Sequence, residues 1–267
     1  MKARADRFTA VVLAGDRTPD DPVARIAGVS CKALVPVAGT PMVMRVLGAL
    51  DLARDVGARV LCGPSRTAVD GHADLKALIE SGAVQWMEPQ PTPSLSAYEA
   101  MRVIPEASPI LLTTADHALL TPRILDFFCS GALLRRCDVV VGLAAHDLVA
   151  SAFPGVGRTV IQFQEGGYCG CNLYAFLTPR ARAAAAFWQR LERQRKTPWR
   201  LIGTLGLIPV LRYAVGRLRI RDGLAGISRR LSLRVEAVIM PFPEAAVDVD
   251  KVSDLALVEK ILSGNVA

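Results

Sequence analysis

Pro109-Ile110-Leu111-Leu112-Thr113-Thr114-Ala115-Asp116-His117 reads as a short apolar strand that ends on a carboxylate. A run with so few polar positions before its end suits a strand buried on both faces of a parallel sheet. Asp116 then stands at the lip of that sheet, where open α/β sheets bind their ligands. It also has a plainer reading as a turn or helix-cap aspartate, because Thr121-Pro122 opens a helix soon after.

Working outward, strand-like and helix-like stretches alternate. Phe8 to Ala14, stopped by Gly15, predicts a first strand, and a loop rich in Asp, Pro and Gly runs from there to about Thr40. Met42 to Arg54 has helical spacing with Pro41 at its first turn. Arg59 to Cys62 and Ala83 to Met87 predict strands, with helices over Asp74 to Ser81 and Ser94 to Val103. Past Asp116, a helix from about Pro122 to Cys129 leads to a strand over Asp138 to Leu143. Such alternation predicts a doubly wound, mostly parallel sheet. Beyond Val160, Thr159 to Phe163 and Cys171 to Phe176 suggest a smaller mixed region. A basic helical section follows from Pro179 to Leu231, then a strand over Arg234 to Met240 and a helix over Val252 to Leu262.

A chain of 267 residues with 51% hydrophobic content can bury one sizeable core. Its net charge of +7 is concentrated between Thr178 and Val235, where only Glu192 and Asp222 oppose the arginines and lysines. That section attracts anions, whether nucleotides, phosphorylated acceptors, nucleic acid or an anionic membrane face. It lacks interleaved aromatics or a recognisable nucleic-acid motif, which disfavours nucleic acid. Leu201 to Leu211 is too short to span a bilayer and contains Gly203, Gly206 and Pro209. Trp199 to Leu218 mixes apolar residues with Arg200, Arg212 and Arg217, so peripheral membrane contact is conceivable, with ordinary core packing preferred. The charged opening Met1 to Arg7 is not a signal peptide, and a cytoplasmic location is expected. The cysteines at 31, 62, 129, 137, 169 and 171 read as reduced thiols. Cys169 and Cys171 would share one face of a strand, but without partner histidines they make a poor zinc site. No nucleophile-elbow motif supports a serine hydrolase.

Three features fall at predicted strand ends. They are the Leu13-Ala14-Gly15 turn with Arg17, Arg25 and Lys32 in its loop, Asp116, and the Asp248-Val249-Asp250 cluster. A glycine turn with basic residues can wrap phosphates through backbone N–H groups while a lysine neutralises charge. The turn is neither a Walker A loop nor a GxGxxG fingerprint. Two carboxylates from separate strands are what a hard cation beside a triphosphate needs. Capping of the helix that begins near Val252 is the plainer reading of Asp248 and Asp250.

Leu13-Ala14-Gly15 followed by Lys32-Ala33-Leu34-Val35-Pro36-Val37-Ala38-Gly39-Thr40-Pro41-Met42 resembles the opening of the MobA-like NTP transferases. Thr114-Ala115-Asp116-His117-Ala118-Leu119-Leu120-Thr121-Pro122 resembles that family's metal-aspartate segment, and Asp248 to Leu255 its closing acidic segment. The resemblance implies a Rossmann-like, three-layer α/β/α sandwich with a mostly parallel mixed sheet, the nucleotide-diphospho-sugar transferase fold. It implies one domain over residues 1–267: a nucleotide-binding half at 1–158, an acceptor-side half with a basic helical insertion at 159–240, and a closing metal-site segment and helix at 241–267.

By position, the resemblance gives Lys32, with Arg17 or Arg25, to the phosphates, and Leu13, Ala14, Gly15, Ser94 and Ser96 to the nucleotide. Asp116 and Asp250 become magnesium ligands, with Asp248 as the fallback. Gly170 and Asn172, from a segment like the family's Gly-Gly-Asn, approach the acceptor, and Lys196 could reach an acceptor phosphate. The implied reaction transfers a nucleotidyl group from an NTP to a small phosphorylated acceptor with release of pyrophosphate. A glycosyltransferase of the related fold and a non-catalytic nucleotide-binding regulator are the alternatives. The chain departs from the family at Asp16 to Pro22, which replaces a glycine-rich opening, and at Ala118, Cys171 and Val252.

Overall fold

A computed structural model describes residues 7–16, 20–155, 157–185, 188, 212–213 and 215–264. The first strand, β1 (Phe8–Leu13), is buried almost throughout because both its faces are covered. Val11 faces the layer that contains Ala97, Ala100 and Met101, whereas Ala10 and Val12 face the layer of Val43, Leu47 and Phe128. Strand side chains alternate between faces, so a continuous apolar run is what a doubly covered strand requires. The result is a three-layer α/β/α sandwich.

Taking only the elements that place the site, β1 is followed by α1 (Pro22–Ile26), a 3-10 turn over Lys32–Leu34 and a small hairpin, β2 (Pro36–Val37) with β3 (Thr40–Pro41). Then come α2 (Met42–Leu52), β4 (Val56–Cys62), α3 (Arg66–Asp70), α4 (Ala73–Glu80), β5 (Gln85–Met87) and α5 (Pro93–Val103). The strand β6 (Ile110–Thr114) leads to α6 (Pro122–Leu133), β7 (Val139–Ala145) and α7 (His146–Ala152). The hairpin β8 (Ile161–Phe163) and β9 (Gly166–Phe176) precedes α8 (Ile220–Leu231), β10 (Val235–Met240) and α9 (Val252–Leu262). The main sheet runs β10-β7-β9-β6-β1-β4-β5, with β8 added on β9. Among the described residues, every antiparallel pair in it involves β9.

That order corrects one expectation. Cys171 to Phe176 does not build a smaller mixed region: it is the end of an 11-residue strand inserted at the centre of the main sheet, between β6 and β7. Gly166-Gly167-Tyr168-Cys169-Gly170 carries little apolar alternation, which hid the first half of β9 from a pattern reading. The loop before Thr40 likewise holds α1, whose Asp21 carboxylate caps the backbone N–H groups of Val23 and Ala24. The basic section is seen in part, as a 3-10 turn over Pro179–Arg182 and as α8; Trp199 to Leu211, with Lys196, lies outside the described residues. No helix among the described residues is long and apolar enough to cross a membrane.

Helix ends follow local chemistry. Thr92 and Thr121 cap α5 and α6 by accepting from Leu95 and Ile124, each with a proline in the first turn. Arg182 donates to the carbonyls of Met101 and Ile104, at the carboxyl end of α5, where a cation suits the helix dipole.

Candidate functional site

The carboxyl ends of β1, β4 and β6 converge on one edge of the sheet. Ala14 donates to the Cys62 carbonyl at 2.8 Å and Ala115 to the Leu13 carbonyl at 2.9 Å, so the turn after β1 is stitched to both neighbours. A Cβ on Gly63 would lie 2.8 Å from the Gly15 nitrogen, and Gly63 has φ +87°, so only glycine lets β4 end this close to the Gly15 turn.

Lys32 is carried into this edge by its 3-10 turn, and its backbone N–H donates to Asp16 Oδ1 at 3.0 Å. The Lys32 ammonium donates to Asp116 Oδ2 at 2.7 Å and to Asp250 Oδ1 at 2.8 Å. One ammonium thus joins two carboxylates from distant parts of the chain, and their oxygens are no farther apart than those two contacts together. Burial works against the charge on Lys32, but Asp116 and Asp250 outweigh it and raise the ammonium above its usual pKa of 10.5. The other oxygen of Asp116 is buried and has no hydrogen-bond partner. The Val249 N–H donates to the Asp116 carbonyl at 3.1 Å, tying the closing segment to the end of β6.

Asp248 does not join that pair. Its carboxylate is taken by Arg158 on one oxygen and by Asn172 Nδ2, at 2.8 Å, on the other. Burial is the main cause that raises its pKa, with Asp116 and Asp250 adding to it and Arg158 opposing. The geometry therefore favours Asp250 over Asp248 as the mate of Asp116, and it directs the Asn172 amide onto Asp248.

The remaining expected residues fall as follows. Arg25 is exposed on α1, which packs beside the Lys32 turn. Ser96 accepts from the Gln90 N–H at 2.9 Å and Ser94 meets Thr92 at 3.1 Å, so both hydroxyls brace the loop that enters α5. Gly170 is exposed on β9. Arg17 and Lys196 lie outside the described residues. All six cysteines are free and buried, and burial lifts the Cys31 thiol to about 11 and the Cys62 thiol to about 12, which makes neither a ready ligand.

His117, beside Asp116, is buried. Burial pushes its imidazole down to about 4, against the pull of the Asp116 charge, so the ring is neutral at pH 7 and supplies no positive charge to a phosphate. A depressed histidine stabilises the fold above its unfolded pKa and loses that contribution as pH falls through the folded value. Between about pH 6.5 and 4 the wild type is therefore expected to lose about 3 kcal/mol that His117→Phe does not lose. Urea unfolding of both proteins at pH 7 and at the acid end of that window checks it, and equal losses would refute it.

The sequence gives Arg158, Asp16 and Asp254 no individual role, although Asp16 and Asp254 lie in the opening and closing segments. Asp254 Oδ2 accepts from the N–H groups of Asp250 and Lys251 at 3.0 and 2.9 Å. It belongs to the closing motif, and its place in the first turn of α9 was the signal available. Arg158 follows Gly155-Val156-Gly157 in a loop, with no periodicity to mark it.

The chain is a Rossmann-like sandwich of the nucleotide-diphospho-sugar transferase fold, with a lysine and two aspartates at the carboxyl edge of its sheet. Residues 10–197 match the sequence model of the MobA-like NTP transferase domain, and the chain belongs to that family. A hypothetical transferase from Thermus thermophilus has the same fold, with a TM-score of 0.78 and 28% identity over 93% of this chain and 99% of its own. The 4-diphosphocytidyl-2C-methyl-D-erythritol synthase of Anaerococcus prevotii DSM 20548 aligns at a TM-score of 0.58 and 12% identity, over 97% of each chain. A CMP:2-keto-3-deoxy-manno-octonic acid synthetase complexed with CTP aligns at 0.58 and 12%, over 97% of this chain and 99% of its own. At such identity these two share the fold. No curated protein matches the sequence.

Proposed function

We propose that this protein is a magnesium-dependent nucleotidyltransferase that moves a nucleotidyl group from an NTP to a small phosphorylated acceptor. The observation that carries the proposal is the Lys32 ammonium shared between Asp116 and Asp250 at the carboxyl edge of the sheet. Membership of the MobA-like NTP transferase family supports the same reading.

The residues fit magnesium. Asp116 has a buried oxygen without a partner, an acceptor that costs stability unless a cation or donor meets it. Two carboxylates with an open side suit an ion that keeps waters and shares its remaining positions with phosphate oxygens. Asp116 and Asp250 would hold that ion, which when bound offsets charge on the triphosphate.

In the reaction, an acceptor phosphate oxygen attacks the α-phosphorus and forms a new P–O bond. The bond from that phosphorus to the bridging oxygen breaks, and pyrophosphate leaves with the electron pair. A phosphate acceptor is already anionic, so no general base is needed. Lys32 neutralises charge as it builds, and the Gly15 turn aligns the phosphates through its backbone.

Four NTPs crossed with a metabolite-phosphate library, read by pyrophosphate release, test the proposal. Pyrophosphate stoichiometric with product is the expected result. Release of a nucleoside diphosphate from a nucleotide sugar would point to glycosyl transfer. Saturable NTP binding without turnover would overturn the proposal in favour of a regulator.

A further inference from the structure

Asp250 is the more exposed member of the carboxylate pair, with 54% of its side chain open to solvent against 19% for Asp116. Besides the Lys32 contact on its side chain, its backbone is held in place. Three contacts do this directly: Val249 to the Asp116 carbonyl, and Asp250 and Lys251 to Asp254 Oδ2.

A further set of contacts grips the residue two positions earlier. Arg158 pairs through Nη1 with the Asp248 carboxylate and donates through Nη2 to the Asp248 carbonyl at 2.8 Å. The same guanidinium lies 3.9 Å from Asp254 Oδ1, so it bridges the segment and the helix that follows. Its side chain is only 9% exposed, and a charge-assisted contact away from water is strong and costly to lose. From the other side, Asn172 Nδ2 donates to the second Asp248 oxygen at 2.8 Å.

Asn172 holds φ +48°, in the left-handed region, inside a strand. It lies where β9 slips register against β7, between the Val141–Tyr174 and Leu143–Gly170 pairings. Bulges and left-handed residues in strands persist where they re-aim a side chain, and this one delivers an amide to Asp248.

From these contacts we infer that Arg158 and Asn172 are positioning residues that act through Asp248. Together they lock the 248–250 backbone so that Asp250 faces Asp116 across Lys32. The inference rests on the metal-assisted reading above, and it gives Asp248 the part of an anchor point. Groups that hold metal ligands in place commonly change metal affinity ten- to a hundredfold when lost.

Asn172→Gly isolates the amide, because glycine accepts φ +48° without strain. Arg158→Lys keeps the charge and loses the forked grip. The first measurement is hydrogen exchange at the Val249, Asp250 and Lys251 amides of protein free of metal and nucleotide. The second is Mn2+ affinity by electron paramagnetic resonance, in complex with the α,β-methylene analogue of the NTP that the panel selects. Exchange at those three amides is expected to quicken in both variants, with Mn2+ held about tenfold more weakly and nucleotide affinity unchanged. Unchanged exchange and unchanged Mn2+ affinity overturn the inference. So does exchange that quickens across the whole chain with Mn2+ affinity preserved, because that is a purely structural role. If local exchange quickens but the wild type takes up no Mn2+ with any nucleotide, the metal-assisted reading falls and the clamp on the backbone stands.

Discussion

Asp116→Asn is expected to leave a folded protein that releases pyrophosphate about a thousandfold more slowly, a loss of about 4 kcal/mol of transition-state stabilisation. The fold survives because the structural bond at this position is the backbone one, from Val249 to the Asp116 carbonyl, and an amide keeps the shape of the side chain. What disappears is the negative charge that faces Lys32 at 2.7 Å and that would hold the cation with Asp250. Circular dichroism and a pyrophosphate-coupled assay check the two halves separately. Near-normal pyrophosphate release from a folded Asp116→Asn protein would sink the assignment of this site.

The parts of this site differ in how far they could be read from sequence, and the reason is range. Asp116 was legible because a buried strand leaves a local mark, an apolar run, and the carboxylate stands at its end. Its role was not, since a cap aspartate leaves the same mark; the structure adds a lysine shared between it and Asp250. The contact between Lys32 and Asp250 joins positions 218 residues apart, and nothing periodic links them. They were found through family-like motifs, whereas Arg158, reaching Asp248 across 90 residues from an unmarked loop, had no motif to betray it.

The fold shows the same division. Residues such as Val11 and Leu112, which pair with register neighbours in a doubly covered sheet, announce themselves through hydrophobicity alone. Gly166 to Gly170 does not, because its glycines leave no apolar alternation to read. Only Gly167 within it is closely approached, since a Cβ there would stand 2.7 Å from Val160 Cγ1. Sequence patterns report burial well and report pairing between distant segments poorly. The antiparallel insertion of β9 is pairing of that second kind. It matters to the site because β9 carries Asn172.

Lys32→Gln should separate two jobs that the wild-type side chain combines. In the protein without ligand, the Lys32 ammonium sits against both carboxylates and serves as their counter-ion. In turnover, the same charge is needed at the triphosphate, and losing it is expected to slow pyrophosphate release about a hundredfold or more, near 3 kcal/mol. The two jobs predict opposite changes. A neutral glutamine no longer competes for Asp116 and Asp250, so Mn2+ should bind the nucleotide-free variant more tightly than the wild type even as turnover collapses. Protonation does not confound the comparison. Because Asp116 and Asp250 raise the lysine pKa, its stabilising charge is fully present below 10.5 and is lost only as pH rises through the folded value. Assays between pH 7 and 9 therefore compare a fully charged lysine with a neutral glutamine. Tighter Mn2+ binding with slower turnover identifies Lys32 as both counter-ion and phosphate contact. Slower turnover with unchanged Mn2+ binding would confine it to the phosphates, and unchanged turnover would remove it from the reaction.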